Sequence, residues 1–337
     1  MKRNIFQILL HILGVGFLTS TLVFSQETPS SKMKNVRVYV QDYYGKPFSN
    51  LKPQNFVVKE DGEEQKIEYF EEEREPFAVA VLIDINYFPS LSSYLALKFI
   101  QKFDSKNRYS IIGFNKGIED LALWDSDDGQ LINALSKISD YKEENSSSVF
   151  NDAMIDGFEK LKSSSLKKKI ILVFANGYDV KSKTNLNKLT ETAKKSDVTI
   201  IGIAFNDDSF NSTMAGSQHE TLDKLTAKTG GRVFDFTYPA SGPTFQIDVF
   251  RDSAGRTIRR EIRDAPNFPR QKTNLEQQYE QYVEVIANMI GKTYLIGYFP
   301  RKADGKRREC EVKLLLDGTD SKKLKYDLRK KEMYLEN

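Results

Sequence analysis

Eight residues, Phe77-Ala78-Val79-Ala80-Val81-Leu82-Ile83-Asp84, carry no polar side chain before the last, so a strand made from them has no face to show to water. A strand covered on both faces belongs in a parallel sheet flanked by helices. The text that follows keeps that grammar. SLSSYLALKFIQKF places Leu91, Leu95, Phe99 and Phe103 at helical spacing. YSIIGFN, GIEDLALW, KKIILVFAN, DVTIIGIAF and GGRVFDF read as further strands, and helices are expected at Gly129–Ser139, Val149–Lys162, Asn185–Lys195 and His219–Thr229. The fold class expected is α/β, a doubly wound, mainly parallel six-stranded sheet of Rossmann type.

Both ends of the chain speak a different grammar. NVRVYVQD alternates apolar and polar residues as a half-buried strand should, and NFVVKEDGEEQKIEYF reads as two strands joined around Asp61-Gly62. Three short strands cannot bury a core alone. Their partners are TYLIGYFP, KRRECEVKLLLDG and KKLKYDLRK at the other end, after a helix expected over Leu275–Ile290. The organisation expected is a leader at 1–25, a linker at 26–34, strands at 35–75, the α/β domain at 76–291 with an insertion at 240–273, and closing strands at 292–337. That insertion holds a basic cluster, Arg251, Arg256, Arg259, Arg260 and Arg263, and room for one short hairpin.

Lys2 and Arg3 precede an apolar run, and Val23-Phe24-Ser25 fits a signal-peptidase site, so the chain is expected to be exported, to a periplasm or to the cell surface, with no stable span after cleavage. Losing the leader lowers the basic total from 50 to 48 against 47 acids. A nearly neutral protein lacks the basic field that general nucleic-acid binding requires. The single Cys310 forbids an internal disulfide, so packing must supply the stability.

The preface VVKEDGEEQKIEYF, the strand-helix alternation and the exit TYLIGYFP, in that order, resemble the von Willebrand factor type A domains, and among them a bacterial exported branch. The resemblance covers roughly residues 35 to 335. It implies a ligand face at the C-terminal ends of the parallel strands. It also implies an adhesion site for Mg²⁺, built from a D-x-S-x-S loop, a Thr on a second loop and T-D-G on a third, whose open position takes a carboxylate from the partner. Here Asp84 matches, but Asn86 and Phe88 stand where the two Ser belong. Ser148 stands for the Thr, and Ala175-Asn176-Gly177 stand for T-D-G. Mg²⁺ demands octahedral hard oxygens with anionic compensation. The site is therefore read as degenerate and metal-free, with Asp84 bonding nearby backbone N–H groups or Ser148.

What replaces the metal is aromatic. Tyr87 and Phe88 follow the first strand and Tyr178 follows the third loop. Two readings stand side by side: a protein-binding hot spot, or Phe88 plugging the vacated site beneath Tyr87. No enzyme reading finds its residues. DINYFPS lacks the glycines of a dinucleotide site, no G-x-S-x-G or H-E-x-x-H occurs, and His219 reads as a surface or capping-region residue. Asp125, Asp127 and Asp128 read as a solvated turn, and Cys310 as a packed strand residue. The function expected is a non-enzymatic protein-binding or scaffold module with no cofactor. Two alternatives stand beside it: a Mg²⁺-dependent adhesin with a relaxed site, and an envelope enzyme of unrecognised type. The partner expected is a protein of the cell envelope or exterior.

Overall fold

The computed structural model describes residues 32–42, 47–103, 105–141, 147–207, 219–238, 249–251, 257–259, 274–302, 308, 310–315 and 326–333. The leader, most of the linker and, in the insertion, Arg256, Arg260 and Arg263 lie outside them.

A six-stranded sheet forms the centre, in the order β10 (Val233–Tyr238), β9 (Val198–Asp207), β8 (Lys168–Phe174), β5 (Phe77–Asp84), β6 (Arg108–Phe114), β7 (Ile118–Ala122). All neighbours run parallel except β6 and β7. Every residue of β5 is buried. Its side chains divide by parity. Val79, Val81 and Ile83 pack with α1 (Pro89–Ile100), α2 (Asp128–Ser139) and α6 (Asn274–Gly291). Ala78, Ala80 and Leu82 pack with α3 (Phe150–Ser163), α4 (Leu186–Lys195) and α5 (Glu220–Thr229). Each fully buried Val, Leu or Ile contributes about 1.5–3 kcal/mol. Two such layers cover the strand, whose backbone pairs with β6 on one side and β8 on the other.

The ends of the chain form two antiparallel sheets. One has the order β15 (Tyr326–Met333), β1 (Lys34–Asp42), β13 (Thr293–Tyr298), β4 (Ile67–Glu73). The other has the order β14 (Cys310–Leu314), β2 (Phe56–Glu60), β3 (Glu63–Gln65). Asp61 (φ 50°) and Gly62 (φ 82°) make the turn between β2 and β3, both in the left-handed region that a two-residue type I′ hairpin needs. The second strand expected from sequence is in fact two. The chain leaves the ladder at Lys66, and Ile67–Glu73 pairs with β13 in the other sheet. A strand that changes sheets at a bend forms the corner of a sandwich. The two sheets close over Val36, Val38, Val40, Phe56, Val58, Tyr294, Ile296 and Tyr298, with Cys310 buried among them.

The opposite face of the four-stranded sheet is polar yet covered. It meets the α/β sheet through Tyr39, which packs into the core shared with β5, and through Arg37, Glu73 and Thr293. A short hairpin, β11 (Val249–Arg251) and β12 (Thr257–Arg259), lies within the insertion. Asp127 proves to cap α2, its Oδ1 accepting the Gln130 N–H at 2.8 Å while Gln130 Oε1 accepts the Asp127 N–H at 2.8 Å.

Gly231 sits where the chain turns from α5 into β10, and a Cβ there would lie 1.7 Å from the Ile200 carbonyl oxygen. Backbone cannot yield as a flexible side chain can. Gly231→Ala is expected to destabilise the protein by about 3 kcal/mol, as overpacking against fixed atoms does. Urea denaturation checks it, and a midpoint equal to that of the parent would contradict the packing described.

Candidate functional site

The C-terminal ends of β5 and β8 open onto three loops that meet. Asp84, the last residue of β5, is 1% exposed. Its Oδ1 accepts the Asn86 backbone N–H at 3.0 Å, and its Oδ2 accepts the Ser148 hydroxyl at 3.1 Å. The first of these is an Asx turn, which bends the chain sharply out of the strand. Two residues on, Phe88 adopts φ 46° and ψ 51° immediately before Pro89 opens α1. A left-handed conformation is costly for a bulky side chain, of order 1–3 kcal/mol, and persists only where surrounding contacts enforce it. Those contacts are apolar: the half-buried Phe88 ring packs against the core with its centroid 5.4 Å from that of Phe205.

The second and third loops are laced together. The Ser148 carbonyl accepts N–H groups from Val180 at 3.0 Å and Lys181 at 3.3 Å. Asp179 Oδ1 accepts the Asn151 N–H at 3.1 Å, and Asn151 Nδ2 donates to the Thr184 carbonyl at 3.1 Å. Asp152 accepts the N–H groups of Lys183 and Thr184 at 2.8 and 2.9 Å. Those two bonds hold its carboxyl below the usual carboxylate range against the opposing effect of burial. The third loop is thus fastened along its length, and it carries Tyr178, 47% exposed, and Val180, 69% exposed. Asn176 turns away from the loops. Its Nδ2 donates to the Phe205 carbonyl at 3.0 Å, and its Oδ1 accepts the Phe205 N–H at 2.9 Å, so it continues the β8–β9 ladder beyond the last strand residue. Gly177 follows at φ 77°, where a Cβ would lie 3.2 Å from Leu222.

Asp84 and Ser148 are therefore in contact, Asn86 lies beside them through its backbone, and Asn176 is engaged elsewhere. Of the ligand set that the resemblance implies, one carboxylate and one hydroxyl stand together, bonded to each other, while the Asn176 amide oxygen is committed to backbone. Among the described residues no three His, Cys, Asp or Glu side chains converge as a metal cluster.

A family model for the von Willebrand factor type A domain matches residues 90–246. Over those residues, a little under half of its length, the chain is similar to that family. That match opens just after the Asp84–Phe88 loop, the segment that departs most from D-x-S-x-S. No curated protein matches the chain. Among solved structures it is similar to an aerotolerance-related membrane protein from Bacteroides fragilis NCTC 9343 (10% identity over 48% of this chain and 91% of that one, TM-score 0.37). It is also similar to the von Willebrand factor domain of a type V pili tip protein from Porphyromonas gingivalis (10%, 49% and 90%, TM-score 0.38). A third is the manganese-loaded TRAP protein of Plasmodium vivax (11%, 73% and 81%, TM-score 0.38).

Three residues of the type A domain's loop face escaped the sequence reading. Asp152 and Asp179 brace the second loop against the third, and Phe205 closes the site from β9. Asp152 lies in the first turn of α3 but bonds residues 183 and 184, 31 and 32 positions on, and Phe205 lies 29 positions from Asn176, so neither role leaves a local trace in the sequence. His219 meets the second of the two places expected of it. It is the N-cap residue of α5, as a capping-region residue should be, but it is buried rather than on the surface.

Burial pushes the Asp84 carboxyl up to about 6, against the opposing pull of the Asn86 N–H and the Ser148 hydroxyl. Its folded value then exceeds the ordinary 3.8, so between the two the folded protein holds more proton than the unfolded one. The stability from the neutral acid is complete below about 4, is lost as pH rises through about 6, and amounts to something on the order of 3 kcal/mol. Asp84→Asn removes that slope. Melting curves of parent and variant should therefore diverge in the variant's favour as pH rises from about 4 to about 7, and a constant difference would show that Asp84 titrates normally.

Proposed function

We propose that the chain is an exported, non-enzymatic binding or scaffold module whose type A domain grips a protein partner of the envelope or cell exterior through the loop face, without a metal. The observation that carries this is the exposed Tyr178 on a loop pinned at both flanks, with the half-buried Tyr87 nearby; burial, Asp84 and Tyr178 together push the Tyr87 phenol up. A tyrosine on a stiff loop gives a large contact area at little entropic cost. The left-handed Phe88 at the same place fits a face held in shape for a purpose beyond folding. Type A domains generally mediate protein–protein interactions. Among the described residues no helix is long and apolar enough to cross a membrane. The metal-dependent adhesin remains the second reading, because Asp84 and Ser148 do stand together at 3.1 Å.

Affinity capture from the native cell envelope tests the proposal, with Tyr87→Ala/Tyr178→Ala as the control. The parent should retain a partner that the double variant loses by at least about 30-fold, the effect of removing a hot spot worth 2 kcal/mol. Tyr178→Ala alone should leave stability within about 0.5 kcal/mol, as exposed substitutions do. A partner held equally by both proteins would move the contact off this face.

The two readings also separate on metal. Millimolar Mg²⁺ or Mn²⁺ is expected to leave the Tm unchanged, because a ligand stabilises the folded state only in proportion to its affinity for it. A saturable rise would favour the adhesin.

A further inference from the structure

Far from the loop face, at the N-terminal ends of β8 and β9, the four-stranded sheet abuts the α/β sheet over a cavity of about 20 Å³. Arg37, Lys168, Thr199, Gly230, Met289 and Thr293 are among its walls. Three charged groups meet there with almost no access to solvent: Arg37 is 6% exposed, Glu73 8% and Lys168 3%. The Glu73 carboxylate is fully engaged. Arg37 Nε and Nη2 donate to it at 2.6 and 2.9 Å, and the Thr293 hydroxyl donates to it at 2.7 Å. Lys168 Nζ donates to Thr293 Oγ1 at 2.6 Å and stays 3.9 Å from the carboxylate. Among the described residues Arg37 Nη1 has no hydrogen-bond partner. Two cations therefore share one carboxylate in a place where an uncompensated charge is expensive.

We propose that this cavity binds one small monovalent inorganic anion, chloride in ordinary media, between the Arg37 guanidinium and the Lys168 ammonium. The volume admits an occupant about the size of one water and no larger oxyanion or organic acid. A water would satisfy the spare N–H of Arg37 but leave the charge unbalanced, and an anion does both. Charge-assisted donors on two sides suit a spherical acceptor that has no directional lone pairs to misalign. The alternative way to balance the charge is loss of the Lys168 proton. Burial pushes that ammonium down to about 7, Glu73 from β4 opposes the shift and Arg37 from β1 adds to it. The other walls around it, from β9, α6 and β13, present Thr199, Met289, Ile290 and Thr293, none of them charged. An anion and a neutral lysine exclude each other, which makes the choice observable.

The experiment is a chloride titration of the full chain at neutral pH, followed by Tm, with gluconate, too large for the cavity, holding ionic strength constant. The parent should show a saturable rise in Tm with chloride, and Lys168→Met, which keeps the Arg37–Glu73 pair, should show none. A parent whose Tm is the same in chloride and gluconate overturns the proposal, and so does a rise that survives in Lys168→Met. If that variant does not fold, chloride-35 line broadening on the parent decides the matter. Broadening that saturates at one anion per chain and is displaced by bromide supports the site, whereas broadening that grows without saturation overturns it.

Discussion

Full burial of β5 on both faces is the constraint from which the rest of the molecule follows. A strand with no polar side chain before its last residue must be covered from two sides, and the alternation Ala-Val-Ala-Val fixes what covers each. The valine side meets α1, α2 and α6 across a thick layer rich in Leu, Phe and Tyr. The alanine side lets α3 come close enough that Gly157 in its middle has Leu82 methyl groups 3.2–3.3 Å from where a Cβ would be. The strand ends on Asp84 because the sheet ends there. Its carboxylate is the first polar group the chain can offer, and it is spent on turning the backbone.

The ends of the chain solve a second problem. A four-stranded sheet with two covered faces would ordinarily be apolar on both, but here only the side facing β2 and β14 is. On the other, Arg37, Glu73 and Thr293 are set against the foot of the α/β sheet, and Lys168 completes the group from β8. A buried ionic cluster is a poor source of net stability against an apolar equivalent, yet breaking it by halves is costly. The cluster therefore works as a register pin. Thr293 and Glu73 face each other across the β13–β4 ladder, and a shift by one residue would leave a charge without its partner.

How far this was readable depends on range along the chain. The six strands and six flanking helices of the central domain follow from periodicity, and the Asp61-Gly62 turn from the two left-handed positions it requires. Asp84 and Ser148 could be brought together only by resemblance, since 64 positions separate them. Bonds that span such distances leave no local trace. Arg37 and Glu73 are 36 positions apart, Lys168 and Thr293 125, and Glu73 and Thr293 220, so nothing in the sequence marked them as one cluster. The break at Lys66 was invisible for a related reason, because both halves of EEQKIEYF are acceptable strand text and only the sheet each one joins tells them apart.

Under the function proposed, the loop face differs from a metal site in the kind of contact it offers. The metal site that the resemblance implies draws its strength from charge brought together at one point, and its open position takes a carboxylate from the partner. In this chain the Asp84 carboxylate is turned inward onto Asn86 and Ser148. The Asn176 amide extends a backbone ladder, and Phe88 packs on Phe205 instead of reaching a ligand. Asp84, Ser148 and Asn176 each hold a loop or a strand end in place. The polar bonds that remain, Asp152 to residues 183 and 184 and Asp179 to Asn151, all serve to stiffen the segment that carries Tyr178 and Val180. Under the function proposed, recognition passes from a point charge to a shaped apolar contact, which asks for no anion on the partner and whose strength should depend little on divalent cations or on salt.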